Sequence, residues 1–267
     1  MDVTVWGSRG SVPSFSRDKV QFGTNTSSVE VRLPGGECVL LDAGTGIVGV
    51  GHQMACAGMA GVDTVHLLLT HFHWDHIQGL PFFKPIYKRG MKLAIYGPPG
   101  VENVLSGQLI PPFCPIPKEA LAASIEFVTV KDSVRIGEAV VTAFPTNHPQ
   151  GCTGYVVEAG GRKICYATDL EPDGAALDEV LLKAAKGSNL LIQDSTDSLE
   201  EAPSRKGWGH STWRDCVHTA RSSGSARLVL FHHDAFENDD DIRRKEALAQ
   251  QEFPDCLCAF DGLKLKV

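Results

Sequence analysis

The chain has 267 residues, of which 43% are hydrophobic and 21% are charged, and its formal net charge is -7 at pH 7. This length allows one large domain or two small ones, and the composition is typical of a soluble globular protein. The negative charge argues against a broad phosphate-tracking surface, although it is compatible with a local cationic pocket. No stretch resembles a signal peptide and no apolar run could cross a bilayer, so we expect a cytoplasmic protein without membrane contact.

The first part of the chain is rich in short strand patterns separated by glycine and proline. Apolar runs or alternation predict strands over residues 3–6, 28–33, 38–42, 65–69 and 92–96. Pro34-Gly35-Gly36 predicts a hairpin turn. Helices are predicted over residues 47–59 and 101–109. The proline-rich segment 110–117 cannot hold regular structure and is predicted to be an ordered surface loop.

A second block of strand patterns follows, and helical patterns then alternate with strands. The predicted strands are 125–130, 134–136, 139–144, 154–158, 163–167, 190–193 and 228–231, and the predicted helices are 174–185, 212–222 and 240–251. No linker, charge tract or repeat divides the chain, so we expect a single domain over residues 1–267. Two strand blocks, each followed by helices, predict an α/β fold: an αβ/βα sandwich of two packed sheets with helices outside.

The segment His71-Phe72-His73-Trp74-Asp75-His76 directly follows the predicted strand 65–69. A helix turns by about 100° per residue, so it would point His73 away from His71 and Asp75, and we therefore expect a tight loop. Such a cluster without a ligand would bury polar groups that lack partners. Imidazole and carboxylate groups suit zinc, iron or manganese. The sequence predicts a metal site here; the alternative is a solvated loop that is merely rich in histidine.

Three further places have a polar residue directly after a predicted strand: His148, Asp169, and the pair His232 and His233. Each has an ordinary interpretation on its own, such as a solvated loop histidine or a turn residue. Their shared position at strand ends favours one common site.

The pattern His71-x-His73-x-Asp75-His76, with His148, Asp169 and His232 in this order, resembles the metallo-β-lactamase superfamily of binuclear metal hydrolases over nearly the whole chain. The resemblance implies the metallo-β-lactamase fold, a four-layer αβ/βα sandwich of two mixed β-sheets flanked by helices. It implies two divalent ions, with the first held by His71, His73 and His148, the second by Asp75, His76 and His232, and Asp169 between them.

The expected ions are zinc, and manganese or iron(II) would also fit these ligands. The choice of His232 over His233 rests on motif alignment, so His233 stays open as the last ligand. Asp42, in Leu41-Asp42-Ala43-Gly44, matches the early aspartate of the superfamily. A carboxylate there fixes a ligating histidine through a hydrogen bond.

Within the superfamily, two segments resemble the branch of ribonuclease Z and PhnP-like phosphodiesterases. They are Gly7-Ser8-Arg9-Gly10-Ser11-Val12-Pro13, with Asn25-Thr26-Ser27-Ser28 after it, and Trp208-Gly209-His210-Ser211-Thr212. This implies a phosphodiesterase in which a metal-bridging hydroxide attacks phosphorus. Asp75 would orient the nucleophile and His210 would stabilise the phosphoryl oxygens.

The residues around His210 agree with a phosphate site. Ser211 or Thr212 suits the N-cap of the next helix, and a helix N-terminus attracts phosphate. The alternative is that one of them only caps its helix and that His210 is solvated. Several aromatic residues are candidates for an apolar wall of the site, although ordinary core packing is the better explanation for any one of them: Trp74, Phe82, Phe83, Phe113 and Trp208.

The expected substrate is a small phosphodiester, with a cyclic nucleotide as first choice. We find no long glycine-rich basic insertion that could grip transfer RNA as ribonuclease Z does, and the chain is acidic, so a long nucleic acid is not expected. The alternatives are a lactonase or thioesterase on the same metal centre, a transfer-RNA 3′-processing endonuclease, and a non-hydrolytic redox or metal-binding protein. A homodimer is implied only by the resemblance.

Overall fold

The computed structural model describes residues 1–58, 61–109, 112, 114, 116 and 120–267, and within these residues the strands form two seven-stranded sheets. The first sheet contains β1 (Asp2–Gly7), β2 (Ser28–Arg32), β3 (Cys38–Leu41), β4 (Thr64–Leu68), β5 (Lys92–Gly97), β6 (Ser124–Thr129) and β14 (Lys264–Lys266). The second contains β7 (Ser133–Ile136), β8 (Ala139–Thr146), β9 (Cys152–Ala159), β10 (Arg162–Ala167), β11 (Leu190–Asp194), β12 (Leu228–Phe231) and β13 (Cys256–Cys258).

The described helices connect these strands. They are α1 (Ile47–Cys56), α2 (Trp74–Ile77), α3 (Val101–Gln108), α4 (Ala176–Ala185), α5 (Trp213–Ser223) and α6 (Asp239–Glu252). Short 3₁₀ turns span Leu80–Phe82, Lys84–Tyr87 and Ala202–Ser204. None of the helices that the structure describes is both long and apolar enough to pass through a membrane.

Both sheets are mixed. The first has the order β14-β1-β2-β3-β4-β5-β6, antiparallel from β14 to β3 and parallel from β3 to β6. The second has the order β13-β12-β11-β10-β9-β8-β7, parallel from β13 to β10 and antiparallel from β10 to β7. Parallel strands need crossovers, which helices such as α1, α5 and α6 supply, and the parallel strands β3, β11 and β12 inside the sheets are buried along their whole length.

The apolar side chains of the strands separate the molecule into layers. On β3, Leu41 lies in the core between the two sheets, whereas Leu40 packs in the cluster that contains Ile47 of α1. On β11, Ile192 faces the other sheet and Leu191 packs against the side of α4 and α5. Because successive strand residues point to opposite faces, each strand serves two apolar layers. The predicted αβ/βα sandwich is confirmed.

Three local expectations need correction. Asp75 and His76 belong to the short helix α2, whereas His71 and His73 precede it, so the cluster is part loop and part helix. A helix was not expected because it would point His73 away from Asp75. That argument does not apply, since His73 is the N-cap residue and has an extended backbone. The strands β13 and β14 were not expected, because three residues are too few for a periodic pattern. Helix α1 ends at Cys56, and most of the proline-rich segment, Phe113 included, lies outside the described residues.

Candidate metal centre

The polar residues predicted at strand ends lie together along one edge of the sandwich. His71 and His73 follow β4, His148 follows β8, Asp169 follows β10, and His232 follows β12. Three groups, which share Asp169 or His232, each have potential ligand atoms within 4.8 Å of one another. They are His71, His73, His148 and Asp169; Asp75, His76 and His232; and Asp169, His210 and His232. The fold therefore brings all seven predicted ligands to one place.

Asp169 lies between two sets of side chains, which we call the open set (His71, His73, His148) and the buried set (Asp75, His76, His232). Its Oδ2 atom is 3.6 Å from His71 Nε2 and 3.5 Å from His148 Nε2. Its Oδ1 atom is 3.3 Å from the Nε2 atoms of both His76 and His232. One carboxylate thus presents a different oxygen to each set.

The spacings within each set are equally short. His73 Nδ1 lies 3.2 Å from His148 Nε2 in the open set. In the buried set, Asp75 Oδ2 lies 3.3 Å from His76 Nε2 and 3.1 Å from His232 Nε2, and the two Nε2 atoms are 3.3 Å apart. Zinc–nitrogen bonds of about 2.0–2.1 Å in a tetrahedron require ligand atoms about 3.3 Å apart. The donor spacings therefore fit a divalent cation of this size.

The hydrogen bonds of the histidines also fit a metal. Nδ1 of His148 donates to the Gly209 carbonyl at 2.9 Å, and Nδ1 of His76 donates to Asp42 at 2.9 Å. With the proton on Nδ1, each Nε2 lone pair points into the centre. His71 Nε2 is buried and has no hydrogen-bond partner. Facing lone pairs and an unpartnered buried nitrogen are costly unless a cation lies between them.

The pKa shifts reflect the same crowding. Burial lowers the pKa of His76, but the carboxylates of Asp169, Asp75 and Asp42 outweigh it and hold that pKa well above its ordinary value. Burial raises the pKa of Asp169, yet the neighbouring histidines bring it well below its usual range. A position that favours a proton between carboxylates also favours a metal cation.

Asp42 supports the buried set from behind, as the sequence predicts. Its side chain accepts hydrogen bonds from the Thr70 backbone N–H at 2.8 Å, from His76 and, at 2.9 Å, from the Tyr166 hydroxyl. Asp42 is fully buried. A carboxylate with this many donors fixes the orientation of the His76 ring.

The N-terminal glycine-rich segment contacts the buried set too. The backbone N–H of Ser11 donates to Asp75 Oδ2 at 2.7 Å. Gly10 packs so closely on His232 that an added Cβ would lie 2.4 Å from the imidazole. The guanidinium of Arg9 donates to the carbonyls of Gly23, Asp234 and Glu237, which ties this segment to the loop after β12.

Backbone strain concentrates at the same edge. Among the described residues, the non-glycine residues with positive φ are Ser11, Asp42, Gln150, Asp169 and His232. Most of them contribute to the metal centre or its support. Left-handed backbone at non-glycine residues costs energy, and such strain is common where a site fixes side chains.

The open set, the buried set and Asp169 together form what we call the cage. His210 lies beside this cage rather than in open solvent. Its Nδ1 is 2.8 Å from Asp194 Oδ2, and its ring stacks on His232 with a centroid distance of 5.2 Å. Burial lowers the pKa of His210, but Asp194 outweighs this and raises it to about 9. Asp194 Oδ1 also accepts from Thr196, whose hydroxyl meets Nδ1 of His232 at 2.8 Å. Asp194 therefore fixes two histidines at once.

The sequence did not single out Asp194 or Thr196. Asp194 ends strand β11 just as Asp169 follows β10, so the same strand-end criterion applies to it. The Ser11 amide has no sequence signal, because any residue carries a backbone N–H.

Other expectations from the sequence have mixed outcomes. His233 does not reach the cage: its Nε2 donates to the Ala259 carbonyl at 3.0 Å. Thr212 caps α5 through a capping box with Asp215, and Ser211 Oγ donates to the Leu170 carbonyl. Both hydroxyls are thus hydrogen-bonded inside the protein, which agrees with the alternative in which one of them only caps the helix. His210, in contrast, is paired with Asp194 and is not solvated as that alternative expected.

A cleft of about 360 Å³ opens at the cage. It is lined by Ser11, Phe72, His73, Trp74, Asp75, Asp169, His210 and His232. Of the aromatic candidates, Trp74 lines this cleft, together with Phe72, which the sequence did not single out, whereas Phe83 is fully buried in the core. Asp169 and His210 therefore face this cleft.

Comparison with known proteins agrees with this geometry. The model of the beta-lactamase superfamily domain matches residues 37–233, well over half of the chain. The chain belongs to the beta-lactamase superfamily. As a member, it is a metal-dependent hydrolase with a divalent metal centre, and its αβ/βα sandwich is the metallo-β-lactamase fold.

Several similar proteins belong to one branch of the superfamily. This chain is 27% identical to ribonuclease Z of Methanothermobacter thermautotrophicus, over 87% of this chain and 86% of the relative. The short form of human tRNase Z has a TM-score of 0.70 at 23% identity and covers 100% and 99% of the two chains. A diphosphatase of the PhnP family has a TM-score of 0.71 at 20% identity and covers 100% and 97%. These similarities support the branch of ribonuclease Z and PhnP.

Proposed function

We propose that this hydrolase cleaves phosphodiesters with two divalent ions, zinc by expectation, one bound by each histidine-containing set. The observation that carries the proposal is Asp169, whose two carboxylate oxygens lie 3.3–3.6 Å from Nε2 atoms of opposite sets. A shared carboxylate is the usual means of holding two ions close together. The chain would act as one domain over residues 1–267.

Divalent ions in such a cage supply Lewis acidity, lower the pKa of water and neutralise phosphoryl charge. The protein side chains then have distinct tasks. Asp75 is oriented by the Ser11 amide, so its carboxylate is available to accept a proton from the attacking water. His210, kept cationic by Asp194, would donate a hydrogen bond to a phosphoryl oxygen as negative charge develops.

A small phosphodiester, for which a cyclic nucleotide is our first choice, suits this chain better than transfer RNA. Ribonuclease BN of Cronobacter sakazakii aligns over 325 positions, which cover all 267 residues of this chain. That relative therefore has segments without a counterpart here. A shorter, acidic protein has less surface for a long nucleic acid.

Transfer-RNA 3′-processing is the second candidate. Its support is the name of the relatives, since several matched proteins are ribonuclease Z or ribonuclease BN with coverage above three quarters of both chains. A homodimer stays a prediction, which light scattering on the purified chain would test.

The test is a hydrolysis panel on protein of measured metal content. Its substrates are bis-p-nitrophenyl phosphate, cyclic nucleotides, a precursor transfer RNA and simple lactones. We expect turnover of the diester and of at least one cyclic nucleotide. Faster cleavage of the precursor transfer RNA would replace the first candidate by the second. Turnover of lactones without any phosphodiester would overturn the proposal and favour a carbon-ester hydrolase.

A further inference from the structure

A second cavity, of about 370 Å³, adjoins the metal cage and shares Phe72 and His73 with the cleft that contains His210. We call it the side cavity. It is lined by His71, Phe72, His73, Pro98, Pro99, Gln150, Gly151, Cys152 and Thr153. His71 and His73 belong to the open set, so a molecule bound in the side cavity lies directly beside the cage.

The side cavity and the cleft differ in charge. Asp75, Asp169 and His210 line the cleft, whereas no Asp, Glu, Lys or Arg occurs among the described residues that line the side cavity. A phosphate therefore belongs at the cage and its cleft, where cations can meet it. The side cavity suits an uncharged group, because an ionic group there would lose water without gaining a partner.

The walls of the side cavity favour a flat ring with polar edges. Phe72 and the consecutive rings of Pro98 and Pro99 provide apolar surface, which attracts a planar ring by stacking and burial. Gln150, exposed beside them, carries an amide that both donates and accepts hydrogen bonds. Ligand pockets typically combine an apolar lining with a few polar groups at about this volume.

We propose that the side cavity binds the nucleoside of a nucleotide substrate whose phosphate lies at the metal cage. This inference rests on the proposed phosphodiesterase function and adds the place where the nucleoside part of the substrate binds. It makes the cavity a source of specificity: the cage selects the phosphodiester, and the cavity selects the uncharged ring-bearing group attached to it.

Two chromogenic diesters that differ in one group test the inference. Thymidine 5′-(p-nitrophenyl phosphate) and methyl p-nitrophenyl phosphate share the phosphate and the leaving group. We expect kcat/KM for the thymidine ester to exceed that for the methyl ester by about tenfold or more, the effect of stacking one base. Calorimetry should give a matching preference for thymidine 5′-monophosphate over methyl phosphate.

A variant that fills the side cavity should remove this preference. Thr153→Trp places a large ring among the lining residues, so the ratio of the two kcat/KM values should fall towards one, chiefly through KM for the thymidine ester. Gln150→Ala should lower the ratio less, since it removes one polar contact. Val48→Trp adds the same bulk on the exposed side of α1 and should leave the ratio at the wild-type value.

The outcomes separate this inference from the function on which it rests. If the metal-loaded protein hydrolyses neither diester, the phosphodiesterase proposal fails. If it hydrolyses both with equal kcat/KM, or if Thr153→Trp leaves a clear thymidine preference unchanged, the phosphodiesterase proposal stands and the nucleoside cavity is refuted.

Discussion

The open and buried sets meet the same carboxylate, Asp169, but have different surroundings. His73 of the open set is partly exposed and lines both cavities. In the buried set, His76 and His232 are at most 1% exposed. His71 and His148 are buried, so a substrate reaches the open set mainly at His73, from both cavities, whereas it reaches the buried set from the cleft, at Asp75 and His232.

The two sets also differ in what holds them. The buried set is supported by the Asp42 carboxylate, the Ser11 amide and the pair Thr196 and Asp194. His148 of the open set relies on a neutral acceptor, the Gly209 carbonyl. Because charged outer partners make an imidazole a stronger ligand, we expect the buried set to bind its ion more tightly. The open set is then the half that exchanges its ion first.

Asp169→Ala should have the largest effect, because it removes the one group shared by the two sets. We expect metal content to fall at both sets and turnover to drop by more than the roughly 10²–10³-fold that loss of one charge-stabilising donor costs. Elemental analysis and diester hydrolysis measure both. Full metal content with near-normal turnover would show that the two sets do not depend on a shared carboxylate.

His210→Ala should slow phosphodiester cleavage by about 10²–10³-fold while metal content stays unchanged. His210 is adjacent to the cage but its Nδ1 is already committed to Asp194, so its task is charge stabilisation. His218→Ala, an exposed histidine on α5, is the matched control and should be silent. Loss of metal in His210→Ala would instead make His210 a ligand, in the group with Asp169 and His232.

Asp42→Asn should weaken the buried set by about 10–100-fold in metal affinity, the range for loss of an outer partner. An amide has one acceptor oxygen and cannot serve Thr70, His76 and Tyr166 together. Asp239→Asn is a useful control, since Asp239 also accepts several backbone N–H groups, from Val20, Gln21 and Phe22, away from the cage. Asp239→Asn should lower the stability of the fold and leave the metal affinity unchanged. Competition with a chromogenic chelator measures the affinities.

Much of this architecture could be predicted from the sequence, because polar residues at strand ends are visible in a one-dimensional pattern. Asp169 and His232 follow apolar runs and do lie in the cage. Contacts made by the backbone leave no such trace. Ser11, whose amide reaches Asp75, adopts a left-handed conformation, which a serine in the sequence does not predict. The short strands β13 and β14 depend on neighbours distant in sequence, so no local pattern predicted them.

A pair of glycine substitutions would sharpen the comparison further, with an expected effect of about tenfold in metal affinity for each. In Gly10→Ala, the new Cβ would lie 2.4 Å from the His232 ring and so disturb only the buried set. In Gly209→Ala, it would lie 2.2 Å from His148 Nδ1 at a residue with φ of +88°, which disturbs only the open set. Each variant should lose about one equivalent of metal during chelator dialysis.

The control for this pair is Gly107→Ala on α3, where nothing lies within 4 Å of the added Cβ and alanine favours the helix. It should retain the metal content of the wild type. If each glycine variant of the cage instead lost both equivalents together, the two sets would form one cooperative site. The open and buried sets would then differ in how substrate reaches them and not in metal affinity, because the buried set could not keep its ion after the open set had lost its own.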